Sequence, residues 1–119
     1  MPFGTRYVFI VSMDVEPNKE ALFNEVYDED HVPELLKVPG VISVSRSRRV
    51  AAELVIGGVT FSVGGGEPMY VACYELESPD VISSASWAAA VDRGRWADEV
   101  RPFTLNRHHA MHEVMGVAE

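Results

Sequence analysis

A chain of 119 residues, 47% hydrophobic and 24% charged, is long enough to bury a core without disulfides or a structural metal, and short enough to form one domain over residues 1–119. Its formal net charge of −8 argues against phosphate backbones and anionic lipid as partners, so neither nucleic acid nor a membrane is expected. The single Cys73 excludes an internal disulfide framework and a CxxC metal site, and in its apolar run it reads as a buried thiol rather than a nucleophile. No charged leader precedes an apolar segment, and no apolar run reaches about 18 residues, so the expected setting is cytoplasmic.

Arg6 to Asp14 is β-branched and aromatic, bounded by Gly4 and Pro17. It predicts a strand, and its nearly continuous apolar character predicts cover on both faces. Asn18 is positioned to cap a helix from about Lys19. Two apolar columns run along that helix at i, i+4 spacing, Leu22–Val26 and Phe23–Tyr27. One further step lands the first column on Asp30 and the second on His31. Either the helix unwinds there, or two ionisable groups stand at the end of its buried face. Pro33 favours a break, with Glu34 to Lys37 as a short second helical piece that Pro39-Gly40 ends.

Val41 to Ala52 predicts the second strand, with Arg46 and Arg48 on one side and Ser43, Ser45 and Ser47 on the other. Residues 53–66 are apolar but contain Gly57-Gly58 and Gly64-Gly65-Gly66. They predict an extended hairpin arm or a loop, not a phosphate cradle, because the glycine spacings are wrong and no helix follows. Met69 to Leu76 is a third strand. Ser78-Pro79 supplies a hydroxyl cap and a proline for the first turn of a second helix, whose small face carries Val81, Ile82, Ala85, Ala88 and Ala89. Arg93-Gly94 interrupts it, Trp96 to Arg101 adds a turn or two before Pro102, and Phe103 to Met115 is the last strand.

The order β-α-β-β-α-β predicts an α+β, ferredoxin-like fold: a four-stranded antiparallel sheet with both helices on one face. The other face would be bare and partly apolar, which a second copy in a two-fold homodimer would cover.

His31 stands out as a candidate acid or base, with Asp28 one helical turn before it and Asp30 beside it as candidate orienters; the plain alternative is a capping or surface histidine. His108, His109 and His112 suggest a metal only if helical. On a strand, positions four apart lie about 13 Å distant, so no metal is expected, and a histidine such as His109 lines a pocket instead. Arg46, Arg48 and Arg107 are candidates to hold a carboxylate or enolate oxygen, or else form ion pairs. Tyr27 and Tyr74 offer hydroxyls. Trp87 and Trp96 are pocket walls or simple packing.

Asp28-x-x-His31-Val32-Pro33, then Val38-Pro39-Gly40-Val41, then a basic strand with Arg46 and Arg48, resembles the EthD-like branch of the dimeric α+β barrel proteins. Tyr70 to Leu76, Ser78-Pro79, Trp96, Arg101-Pro102 and Asn106 agree with that pattern. The resemblance implies two copies pairing their sheets face to face, with a pocket in each between sheet and helices. The superfamily spans cofactor-free monooxygenases, lactone isomerases, polyketide cyclases, dehydratases and haem-degrading enzymes, so it does not select a reaction. The expectation is a cofactor-independent enzyme of isomerase, cyclase or dehydratase type, moving a proton beside a carbonyl of a hydrophobic or aromatic oxygenated substrate. His31 would be base or acid, Asp28 or Asp30 its orienter, and Tyr74 or an arginine the oxyanion partner. Tyr27, Arg46, Arg48, Trp87, Trp96 and His109 would surround the substrate. Two alternatives are a non-catalytic homodimer that binds a ligand or partner enzyme, suggested by the arm at 53–66, and a haem- or oxygen-dependent monooxygenase, suggested by the superfamily and the histidines.

Overall fold

A computed structural model describes residues 7–119; Arg6 and Gly4, assigned above to the first strand and its boundary, lie outside the described residues. The strands are β1 (Tyr7–Val15), β2 (Val41–Arg48), β3 (Ala52–Ile56), β4 (Val59–Val63), β5 (Tyr70–Leu76) and β6 (Thr104–Glu113). The regular α-helices are α1 (Glu20–Val26), α2 (Val32–Leu36) and α3 (Ala85–Ala90). Four strands form one sheet in the order β2-β5-β1-β6, with antiparallel neighbours throughout. This is the expected ferredoxin-like topology. β3 and β4 form a separate two-stranded sheet, the predicted arm. Gly57 and Gly58 both have positive φ, 57° and 79°, which a two-residue turn between tightly paired strands requires.

On β1, Phe9, Val11, Met13 and Val15 are buried under the helices. On the other face Val8 is buried as well, and Ile10, Ser12 and Asp14 are partly covered.

The first helical segment also differs from expectation. No side chain caps α1; Asn18 lies inside a 3-10 turn, Pro17–Lys19. Pro33 does not break the helix. Tyr27–His31 form a widened π turn that joins α1 to α2, with the Val32 N–H donating to the Tyr27 carbonyl. Pro33 has no N–H to offer, and the register shift just before it absorbs that loss.

In the second half, the predicted long helix is divided. Ser78 accepts the Asp80 N–H at the start of a 3-10 segment, Pro79–Ser83. Ser84 is extended (ψ 156°) and caps α3 through the Trp87 N–H. A second π turn, Trp96–Val100, and a 3-10 turn, Arg101–Phe103, lead into β6. Among the described residues, no helix is long and apolar enough to cross a membrane.

Candidate functional site

The two π turns face each other across the helix layer. His31 from the first stacks on Trp96 from the second, with ring centres 4.3 Å apart and planes 18° apart. Tyr27 meets both rings edge-on, each at 5.0 Å. A widened turn changes which side chains share a face, and here Tyr27 and His31 both point inward and are buried. Beside this cluster lies a cavity of about 190 Å³ between the sheet and the helices. Tyr27, His31, Tyr74, Trp87, Trp96 and His109 all line it, together with Phe9, Val91, Arg101 and Arg107.

Within the cluster His31 is 5% exposed, and its buried Nδ1 has no hydrogen-bond partner among the described residues. Burial, then the nearby charges of Arg101 and Arg46, lowers its pKa to about 3. The imidazole is therefore neutral at ordinary pH.

Neither predicted orienter touches it. The Asp28 carboxylate accepts from Arg46 Nη1 at 2.6 Å on the surface. Asp30 accepts from Arg95 three times, from the backbone N–H, Nε and Nη2, each at 3.0 Å. These bonds hold the Asp30 carboxyl down at about 2. The close approach depends on Gly94 (φ 69°), where a Cβ would stand 3.0 Å from Asp30 Oδ2. Asp30 is thus a clamp between the two π turns, outside the cavity lining. Its depressed pKa adds stability that is present above about pH 4 and is lost as pH falls through about 2. Asp30→Asn is expected to lower the melting temperature at pH 7 and to lose less further stability than the wild type between pH 4 and pH 2, measured by thermal melts across that range.

Opposite His31, the hydroxyls of Tyr27 and Tyr74 are 2.8 Å apart. Burial is the main cause of a Tyr27 pKa of about 12, and it raises that of Tyr74 well above 10. Both phenols stay protonated. Since each has one proton and one is spent on the mutual bond, the other remains free for an oxygen in the cavity.

Arg46 and Arg48 do not join this site. Arg46 lies over the Tyr27 ring at 4.4 Å and donates to Asn24 and Asp28. With Arg48 it lines a separate surface cleft of about 260 Å³ beside Asn24 and Tyr70. The sequence put both guanidiniums on one side of the strand but could not say that β2 sits at the far edge from β6.

On β6 the strand reading of the histidines holds: His108 and His109 face opposite sides, and only His109 lines the cavity, stacked on Phe9 at 5.9 Å. What aims it is a bulge. Ser12 pairs with His108 but Asp14 pairs with Leu105, so one extra residue is inserted opposite Met13. Asn106 adopts a φ of 54° there, a conformation asparagine tolerates better than most residues. Its Nδ2 donates to Asp14 Oδ2 at 2.9 Å. Beyond the bulge His109 turns to the cavity, and Arg107, within the bulge, borders both the open sheet face and the cavity. Arg101, missed as a site residue, is held there by the Val91 carbonyl at 2.5 Å and Asp92 at 2.9 Å. Its only signal in the sequence is its place before Pro102. Among the described residues the cavity lining thus holds two guanidiniums and no carboxylate.

Solved structures share this fold. A haem-degrader, MhuD from Mycobacterium tuberculosis, with two haems bound in its active site, superposes with a TM-score of 0.64 at 16% identity over 95% of this chain and 99% of that one. An EthD-family protein from Bacillus halodurans gives 0.60 at 14% identity over 92% and 99%. The chain has the ferredoxin-like α+β fold of these proteins. A putative antibiotic biosynthesis monooxygenase from Nitrosomonas europaea is a further structural neighbour of this α+β barrel chain, with a TM-score of 0.50 at 15% identity over 92% and 99%. At these identities the likeness is one of fold. No sequence-family model matches the chain, and no curated protein matches it in sequence.

Proposed function

We propose that this α+β barrel chain is a cofactor-independent enzyme that moves a proton beside a carbonyl group of an aromatic, oxygenated small molecule. The observation that carries the proposal is the neutral His31 imidazole and the Tyr27–Tyr74 hydroxyl pair on the wall of one cavity. The free phenolic proton donates to the substrate oxygen and stabilises the enolate that forms. His31 takes the proton from the adjacent carbon and returns it in isomerisation, or passes it to a leaving oxygen in dehydration. Its basicity is low in the empty cavity because burial and Arg101 disfavour the imidazolium. An acidic substrate group beside Arg101 and Arg107 offsets those charges and raises it.

At about 190 Å³ the cavity equals roughly six water volumes of 30 Å³ each, room for one substituted ring. Haem, which the Mycobacterium tuberculosis neighbour holds, does not fit. The cavity falls below the roughly 300–1,000 Å³ of clefts that take drug-sized ligands, and a porphyrin is larger than those. His31 is also wedged between Tyr27 and Trp96. The low basicity of His31 favours, as a second reading, a protein that binds such a ligand without turning it over. In either case the half-covered sheet face, with Ile10, Val71, Cys73 and Ala110, is the contact surface of a homodimer. Burial raises the Cys73 thiol pKa, consistent with an inert residue there.

The chain's two tryptophans, Trp87 and Trp96, both line the cavity, so intrinsic fluorescence reports its occupancy. Hydroxylated aryl ketones and aromatic carboxylates are expected to quench it saturably. For a bound ketone in D2O, NMR should show deuterium entering at the carbon next to the carbonyl, and His31→Ala should slow this by about 10²-fold or more. Quenching without exchange supports the binding protein; no quenching by any member of the panel sinks both readings.

A further inference from the structure

The arm is an amphipathic hairpin, and among the described residues nothing of its own chain lies over its apolar side. Pairing of Ala52 with Val63, Leu54 with Phe61 and Ile56 with Val59 gathers six apolar residues on one face. Glu53, Ser62, Val55 and Thr60 take the other. All ten residues of β3 and β4 are exposed, Leu54 at 46% and Phe61 at 48%. A lone two-stranded hairpin is marginal in water, so a uniformly apolar face of this length requires a surface to rest on.

We infer that the apolar face of residues 52–63 clasps a second copy of this chain and completes the homodimer interface that begins on the open sheet face. The inference rests on the homodimer proposed above and adds the element that holds it. Four features favour this occupant. First, the arm is anchored rather than loose. The Arg49 N–H donates to the Met69 carbonyl at 2.8 Å, and Asp14 accepts from both the Met69 N–H and Asn106, tying the root to β1 and β6. Second, an apolar groove of about 620 Å³ on the open face starts at that root, at Glu67 and Pro68, and continues over Ile10 and Val71. Among the described residues the chain thus carries two uncovered apolar surfaces joined through the arm's root, which a two-fold pair matches to each other.

Third, the arm supplies area that the sheet face lacks. A four-stranded face seven residues long projects about 440 Å², short of the roughly 800 Å² per partner that stable dimers bury. The arm projects about 170 Å². Adding it brings each copy to about 610 Å², closer to that range. Fourth, residues 50–68 contain Glu53 and Glu67 but no lysine or arginine, and the chain is acidic, so the arm lacks the basic residues that accompany insertion into anionic lipid. The molecular shape agrees with half of an assembly. The described chain is a slab of 50 × 38 × 19 Å with a radius of gyration of 15.9 Å, against about 13.5 Å for a compact chain of this length. Two slabs stacked on their open faces restore near-equal dimensions.

The test is sedimentation equilibrium of the whole chain and its variants, with circular dichroism to confirm that each is folded. The wild type should run as a dimer of 13.2 kDa protomers. Leu54→Glu and Phe61→Glu, on the apolar face, should each raise the dimer Kd roughly a hundredfold or more. Val55→Glu, on the polar face, should leave it within a few-fold. A dimer that all three arm variants leave intact, but that Ile10→Lys on the sheet face dissociates, overturns the clasp and leaves the sheet-face dimer standing. A wild-type monomer at 100 µM, or one that instead co-sediments with phosphatidylcholine vesicles, overturns both.

Discussion

Between pH 7 and pH 5 the unfolding free energy of the wild type is expected to fall by about 2 kcal/mol through His31, and His31→Phe should remove that loss. The folded-state pKa of His31 is depressed to about 3, against about 6.5 for an unfolded chain. Above pH 6.5 neither state binds the proton. Below it the unfolded chain takes up a proton that the folded chain refuses, so stability drops by about 1.4 kcal/mol per pH unit until about pH 3. His109 is shifted in the same direction, first by burial, so the measured quantity is the difference between wild type and variant. Phenylalanine keeps a ring against Trp96 and removes the unpartnered Nδ1, whose burial costs about 1–3 kcal/mol. His31→Phe should therefore be at least as stable as the wild type at pH 7 and clearly more stable at pH 5. Urea denaturation at pH 5, 6 and 7 checks this; parallel pH profiles for the two proteins would mean that His31 is solvated.

The two tryptophans should separate stability from binding. Trp96 is 4% exposed and contacts Phe23, Tyr27 and His31. Trp96→Ala is expected to cost about 3–5 kcal/mol, a large part of the roughly 5–15 kcal/mol that holds a domain of this size together. Trp87 is only partly buried and meets Phe9 and Tyr74 edge-on at 5.9 and 5.4 Å. Trp87→Ala should cost roughly 1–2 kcal/mol, about half the loss for a fully buried ring, while weakening an aromatic ligand at least tenfold because one cavity wall is gone. Denaturant titration gives the first quantity, and quenching of the remaining tryptophan gives the second. Equal stability losses would mean that both rings are core.

The fold was legible because its signals are local and periodic. The element order followed from β-branched runs separated by helical segments, and Ser78-Pro79 behaves as its chemistry requires. The Phe23–Tyr27 column extended correctly to His31, since i, i+4 neighbours stay roughly aligned even through a widened turn. It failed for Asp30, because a carboxylate is drawn to whatever donor tertiary structure brings near, here Arg95, which is distant in sequence. Arg46 borders a different cleft from His31 for a related reason. Spacing along a strand fixes its face, but only the sheet order fixes which cleft that face borders. Arg101 was missed because no pattern marks a guanidinium that a distant backbone carbonyl holds in place.

The bulge at Asn106 sets the phase of everything after it. Thr104 pairs with Val15 and His109 with Val11, so a five-residue step along β6 matches a four-residue step along β1, and the bulge lets both residues face the helices. Keeping the residue while ironing the bulge into regular pairing would turn over every side chain beyond it, sending His108 and His112 to the helix side and His109 to the open face. Deleting Asn106 would do the opposite: Leu105 would still pair with Asp14 and His109 with Val11, and the strand would lose its kink without turning a single side chain over. The extra residue is thus tolerated by the cavity's composition, and what the cavity cannot tolerate is a register slip that straightens it.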